Sequence, residues 1–226
     1  MTDSEPLRFY FDYISSNAYL VWVELPRLER TYGIQIEPVP TLFAGLLEAH
    51  GQLGPAEIPA KVRWMWRNNL RKAALLGVPL KPPAFHPFKP LASLRATGVP
   101  AAEPKQREFI DALFRAVWVE GRHVGEPEVV AEIAREVGLD ADAVMAESTA
   151  ESAKARLRRD TNAAIAAGVF GVPTMCVAGE LFWGYDDLPY LEKHLAGEDP
   201  LDPEDAARWE QAPRASAKRR RFRESV

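Results

Sequence analysis

Strand-like sequence sits only near the two ends of this chain, and that distribution constrains the fold more than any other feature. Leu7-Arg8-Phe9-Tyr10-Phe11-Asp12-Tyr13 is aromatic, has no helical period and reads as a buried strand. Ser15-Ser16-Asn17 supplies N-cap chemistry. Tyr19, Leu20, Val23, Leu25, Leu28 and Tyr32 then recur at helical spacings, interrupted by a tolerable Pro26. Gly33 ends that helix, and Ile34-Gln35-Ile36-Glu37-Pro38-Val39 alternates like a second strand. A β-α-β opening of this kind implies a parallel strand pair with a right-handed crossover. Strand character returns only at Val172-Pro173-Thr174-Met175-Cys176-Val177 and Leu181-Phe182-Trp183, which read as a hairpin through Ala178-Gly179-Glu180. Asp186-Asp187 is placed to cap a closing helix that Gly197 ends.

The middle of the chain has a different character. Residues 60–76 suit a helix, and Pro79, Pro82, Pro83, Pro87 and Pro90 make 79–90 an extended connection. Helical patterns follow over 105–119, 127–137 and 141–167; the last carries a basic patch at 154–159 that reads as a solvated face. A helical block between two strand-bearing ends is an insertion, not a tandem domain. The expected organisation is a strand-bearing domain of residues 1–45 and 169–197, and a helical insertion of 46–168. Residues 198–226 follow as a disordered acidic and proline-containing linker with a basic tail.

Composition closes several function classes. Apolar residues make up 47% of the 226 and charged residues 27%, so the chain can fill a core and whole-chain disorder is excluded. One cysteine makes neither an intrachain disulfide nor a Cys-based zinc cluster, and four scattered histidines lack ligand spacing; no metal is expected. No apolar run approaches the ~20 residues that cross a bilayer, and Met1-Thr2-Asp3-Ser4-Glu5 lacks a basic n-region. The expectation is a cytoplasmic protein with no membrane partner. The net charge of −4 hides an asymmetry, because six basic residues lie between Arg214 and Arg223. Such a tail is either a solvated segment or a contact for nucleic acid.

Three turns are candidate sites. Asp12-Tyr13-Ile14-Ser15-Ser16-Asn17-Ala18 joins a strand to a helix, where exposed amides and the positive end of the macrodipole favour an anion. A hydroxyl of Ser15 or Ser16 there either caps the helix or donates to a sulfur anion brought by a cofactor. Val172-Pro173 opens a strand, either as a cis peptide whose Val172 backbone pairs with an extended ligand or as a trans proline that only begins the strand. Trp183-Gly184-Tyr185-Asp186-Asp187 either caps a helix or holds the charged ends of a small zwitterion.

Taken together, the Phe-Tyr-Phe-Asp-x-x-Ser start, the Gly-Val-Pro-Thr turn and the Trp-Gly-x-Asp closing turn resemble the 2-hydroxychromene-2-carboxylate isomerases. Those enzymes are kin of kappa-class glutathione transferases and, more distantly, of DsbA-type oxidoreductases. His86-Pro87-Phe88-Lys89-Pro90-Leu91 and Val119-Glu120-Gly121-Arg122 look like further landmarks of the family, and the likeness spans residues 7–195. It implies an α/β, thioredoxin-like fold with a large all-helical insertion. It also implies glutathione as cofactor, a small aromatic substrate and cis-trans isomerisation in aromatic-compound catabolism. Ser15 falls on the family's active-site serine, which hydrogen-bonds the glutathione sulfur. Pro173 falls on its cis-proline, so that Val172 would meet the cysteinyl part. Tyr185 and Asp186 fall on the turn for the γ-glutamyl end, and Gln52 takes the place of an Asn that lies at the site. Relatives are often dimeric, which leaves a homodimer open.

The chain departs from the family at Ser16, usually Pro, at Ala18, usually Ser, at Lys89, often Asn, and at Asp187, usually Arg. Asp187 adds a negative charge where glutathione presents carboxylates, and at about 4 Å exposed like charges repel by on the order of 1 kcal/mol. Two alternatives stand beside the isomerase: a kappa-like glutathione transferase or peroxidase, and a non-catalytic thioredoxin-fold binding protein. Dithiol chemistry is disfavoured, because Ser15-Ser16-Asn17-Ala18 stands where Cys-x-x-Cys is needed and Cys176 is alone in a strand.

Overall fold

In the computed structural model, which describes residues 5–211, the two ends of the chain build one sheet. Strand β1 (Leu7–Phe11) runs parallel to β2 (Ile36–Pro40), with Leu7 opposite Ile36 and Phe11 opposite Pro40. Strand β3 (Thr174–Val177) lies antiparallel on the other side of β1, with Arg8 opposite Cys176, and β4 (Glu180–Trp183) pairs with β3. The order is β2-β1-β3-β4, so β1 lies inside the sheet and is buried on both faces. That explains its aromatic sequence. Leu7, Phe9 and Phe11 enter the main core, whereas Tyr10 joins a smaller cluster with Leu46, Ala164, Val169 and Cys176 on the opposite face. The hairpin turns through Ala178 and Gly179, both at positive φ.

The helix between β1 and β2, α1 (Ser16–Tyr32), starts and stops as its sequence dictates. Ser15 caps it through Ala18, and Gly33, left-handed at φ 64°, donates back to the Glu29 carbonyl. The second face of the sheet is covered by α2 (Phe43–His50) and the end of α8 (Glu151–Ala166), which supply Leu46 and Ala164. The remaining helices are α3 (Pro59–Leu76), α4 (Leu91–Thr97), α5 (Gln106–Arg115), α6 (Pro127–Glu136) and α7 (Ala141–Thr149). They share one core with β1 and α1: the Phe114 ring of α5 lies 5.5 Å from Phe11 and 4.9 Å from Tyr13. The closing helix is α9 (Leu188–Leu195). No helix of the described residues is long and apolar enough to cross a membrane.

Several expectations need correction. The pattern over 141–167 is two helices, because the hydroxyls of Ser148 and Thr149 bond back to the Met145 and Ala146 carbonyls and Ala150 is extended (φ −63°, ψ 155°). The helix expected through residue 119 ends at Arg115 and widens into a π turn, Ala116–Glu120, that Gly121 terminates. Helices α2 and α4 were not expected. Part of the segment expected to be disordered forms α10 (Pro203–Glu210), where Asp202 caps the Glu204 N–H and Pro203 suits the first turn. The basic tail, from Arg214 on, lies outside the described residues. Asp186 and Asp187 do not cap α9 with their side chains: a 3-10 turn, Tyr185–Asp187, precedes it, and the Asp187 carboxylate accepts from the Trp183 N–H.

Candidate active site

The turn after β1 is held from two sides. Asp12, buried at the strand end, accepts the Ile14 N–H with one carboxylate oxygen (3.1 Å) and the Phe43 N–H with the other (3.0 Å). The insertion then clamps the next carbonyls. The Trp118 indole N–H, aimed inward by the π turn, donates to the Tyr13 carbonyl (3.0 Å), and His86 Nε2 lies 3.1 Å from the Ile14 carbonyl. A carbonyl only accepts, so His86 carries its proton on Nε2. Thr97 gives its own hydroxyl proton to the Ser93 carbonyl, so Tyr13 donates to Thr97 across 2.7 Å. Burial pushes the Asp12 carboxyl up to about 7 against the two N–H donors that favour its anion, and burial lowers His86.

This clamp fixes Ser15 at the mouth of α1. Its half-buried hydroxyl accepts the Ala18 N–H (3.2 Å) and donates to the Val172 carbonyl (3.3 Å). Val172-Pro173 is cis, one of the two alternatives the sequence left open. The Val172 N–H finds no partner among the described residues, whereas its carbonyl already meets Ser15. A Cβ at Gly171 would lie 2.5 Å from the Trp183 indole nitrogen, so a larger residue here would have to displace that ring. The Pro173 carbonyl accepts the Gly184 N–H (2.9 Å), which ties the cis-proline segment to the closing turn.

Tyr185 and Asp186 reach the same helix start through a residue that motif reading missed. Lys72 of α3, its side chain only 9% exposed, lies 2.8 Å from Asp186 Oδ2 and 3.3 Å from Asn17 Oδ1, with the Tyr185 ring 5.1 Å away. One turn earlier Asn69, fully buried, donates to the Ser16 hydroxyl (2.7 Å) and leaves its own Oδ1 without a partner among the described residues. A signal for both existed. Val62, Trp66, Asn69, Lys72, Ala73 and Leu76 form one inward helical stripe, and two polar residues interrupt it. The structure thus brings Ser15, Val172, Pro173, Tyr185 and Asp186 around one helix N-terminus. Gln52 is not joined to them: it is exposed beyond α2, its N–H bonds the Leu47 carbonyl, and its side chain makes no hydrogen bond to the others among the described residues. Cys176 is buried in β3, in the small cluster on the second face of the sheet, with its thiol raised by that burial.

The model of the DSBA-like thioredoxin domain matches residues 6–196. A 2-hydroxychromene-2-carboxylate isomerase of Sphingobium xenophagum is 34% identical over 85% of this chain and 98% of that protein. The solved structure of a 2-hydroxychromene-2-carboxylate isomerase superposes with a TM-score of 0.78 at 30% identity, covering 84% of this chain and 94% of that one. The chain belongs to this isomerase family. Glutathione S-transferase kappa 2 of Caenorhabditis elegans is a more remote relative, 26% identical over 87% of this chain and 94% of its own length. Within the isomerase family, the chain's added Asp187 charge is occupied by the Trp183 N–H, and the ammonium of Lys72 faces Asp186.

Proposed function

We propose that this enzyme is a glutathione-dependent cis-trans isomerase of a 2-hydroxychromene-2-carboxylate or a similar pyruvate-bearing aromatic catabolite. The observation that carries the reading is the Ser15 hydroxyl, which caps α1 and reaches the Val172 carbonyl beside cis-Pro173. When bound, glutathione supplies a nucleophilic sulfur that adds reversibly to a conjugated double bond, so that the bond can rotate before the sulfur leaves. The residues present fit such a guest. Ser15 has one hydroxyl proton, spent on a bond of 3.3 Å that a sulfur anion can take over. The α1 N-terminus favours that anion, and the open Val172 N–H suits an extended peptide. The Trp118 and His86 donors engage the Tyr13 and Ile14 carbonyls, so that neither carbonyl is left unpaired in the turn that leads to Ser15. No dithiol is at hand: the site turn contains serines, and Cys176 is buried elsewhere.

The test is the absorbance change of 2-hydroxychromene-2-carboxylate isomerisation with and without glutathione. Turnover should require glutathione and consume none. Ser15→Ala should lower kcat/KM by roughly 10- to 100-fold, the worth of a hydrogen bond to a charged group, with the fold intact. An equal rate without glutathione overturns the reading. The kappa relatives favour a transferase as the second reading, and steady loss of glutathione during turnover identifies it.

A further inference from the structure

Charge is segregated along this chain. From Ile58 to Ala102 there is no aspartate or glutamate and there are eight lysines and arginines, so a chain of net −4 carries +8 in this segment and −12 elsewhere. Helix α3 holds five of the eight. Lys72 is turned inward and paired with Asp186, whereas Lys61, Arg63, Arg67 and Arg71 are exposed and enter no ion pair or hydrogen bond among the described residues. Arg63, Arg67 and Arg71 recur every four residues, which stacks them on one side of the helix, where like charges repel and weaken it. Packing does not explain that row, because an outward face gains from alternating signs.

The row leads to the site. Lys72, next to Arg71 in sequence, reaches Asn17 of α1 and Asp186 of the closing turn. At the ~1.5 Å rise of an α-helix, Arg67 lies about 8 Å and Arg63 about 14 Å along the axis from Lys72. The screening length is ~8 Å at 0.15 M salt and ~30 Å at 0.01 M. Arg71 and Arg67 therefore act at the start of α1 in physiological salt, and all three act there in dilute salt. Both reactants of the proposed isomerisation are anions: the substrate through its carboxylate, and glutathione through two carboxylates against one ammonium. The negative remainder of the chain repels them, and α3 attracts them.

We propose that the outward face of α3 is an electrostatic guide, in which Arg63, Arg67 and Arg71 draw the anionic reactants along the helix toward the start of α1. This rests on the glutathione-dependent reading and deepens it, because it assigns the rate of capture to residues outside the site. A charged row of this kind raises the encounter rate and the local concentration of anions. It enters kcat/KM and leaves kcat alone. The arginines are positioning residues, and no bond is made or broken by them.

Isomerisation of 2-hydroxychromene-2-carboxylate at saturating glutathione, from ~0.01 M to ~1 M potassium chloride, separates the possibilities. The proteins are wild type and the triple variant Arg63→Gln, Arg67→Gln, Arg71→Gln. In dilute salt the variant should lose about fivefold in kcat/KM with kcat unchanged, and at ~1 M, where the screening length is ~3 Å, the two should agree. Lysine at all three positions should restore the wild-type salt dependence, and of the single variants Arg71→Gln should lose most. A ratio of wild type to variant that does not change with salt overturns the guide and leaves the glutathione reading in place. Absence of turnover by wild type at ~1 M salt overturns both. Fluorescence quenching gives a readout without turnover, since Trp64 is 60% exposed and follows Arg63 directly. Relative to caesium, iodide should quench wild type more than the variant, whereas an equal iodide-to-caesium ratio in the two overturns the field itself.

Discussion

Asp12 and Lys72 flank the same helix start with opposite charges, and they are accommodated in opposite ways. On the strand side, the Asp12 carboxylate is closed in by two backbone N–H groups, one from its own turn and one from α2, with Trp118 and His86 sealing the next two carbonyls. Every partner there is internal. On the helix side, Lys72 leans on Asn17, a tyrosine ring and a largely exposed carboxylate. One wall of the site is closed by internal partners; the other ends in a carboxylate that water still reaches. The difference teaches where to expect structural and where to expect functional consequences of mutation.

The largest effect should come from the closed wall. Trp118 is fully buried, comes from the insertion and donates to the site turn. Trp118→Ala removes an aromatic core residue and leaves the Tyr13 carbonyl unpaired, so urea denaturation should show a loss of about 3–5 kcal/mol. A loss below about 1 kcal/mol would mean that the insertion merely rests on the sheet and that this wall is not closed.

The two walls also differed in how far they could be read in advance. The strand ends and the α1 caps follow from local pattern; the cis form of Pro173 and the role of the serine turn, which local pattern left open, follow only from the family resemblance. Helix α4 follows from neither, because its Ser93 and Thr97 look like loop chemistry until their hydroxyls are seen bonding the Pro90 and Ser93 carbonyls. The break at Ala150 escaped for the same reason. Lys72 escaped for another. Arg63, Arg67 and Arg71 surround it with like charge on one helix, and its partner Asp186 lies in a turn 114 residues away. Only its phase on the stripe sets it apart. Pairing across such a separation is a tertiary fact, invisible to spacing, whereas the family resemblance places Ser15 and Val172, 157 residues apart, at one site.

A second effect on the closed wall depends on pH. Burial raises Asp12 from 3.8 to about 7, so in that window the folded chain keeps a proton that the unfolded chain has released. Stability from this group therefore falls as pH rises through the window, with an upper limit of about 4 kcal/mol. Asp12→Asn lowers stability at every pH, since an amide nitrogen meets the Phe43 N–H or the Ile14 N–H, but it removes this slope. Glu192, held low by Arg27, acts in the opposite sense at more acidic pH and is common to both proteins, so the difference between their urea-derived stabilities isolates Asp12. A constant difference across the window would show that the Asp12 carboxyl is open to water and that the contrast between the walls is wrong.

The smallest effect should be on the open wall, and it is the sharpest discriminator. Asp186→Ala deletes the only carboxylate paired with Lys72 among the described residues. Were this pair a closed structural bridge, losing one partner would strand a buried cation and destabilise the fold by about 3–5 kcal/mol. The 72% exposure of the Asp186 side chain argues otherwise, because water can enter the space it leaves and solvate the ammonium, which also keeps Asn17 and the Tyr185 ring. The expected loss is about 1 kcal/mol or less by urea denaturation, alongside a clear loss of glutathione affinity. A large loss of stability with unchanged affinity would turn Lys72 into a second closed wall and leave Ser15 and the cis-proline segment to hold the ligand without it.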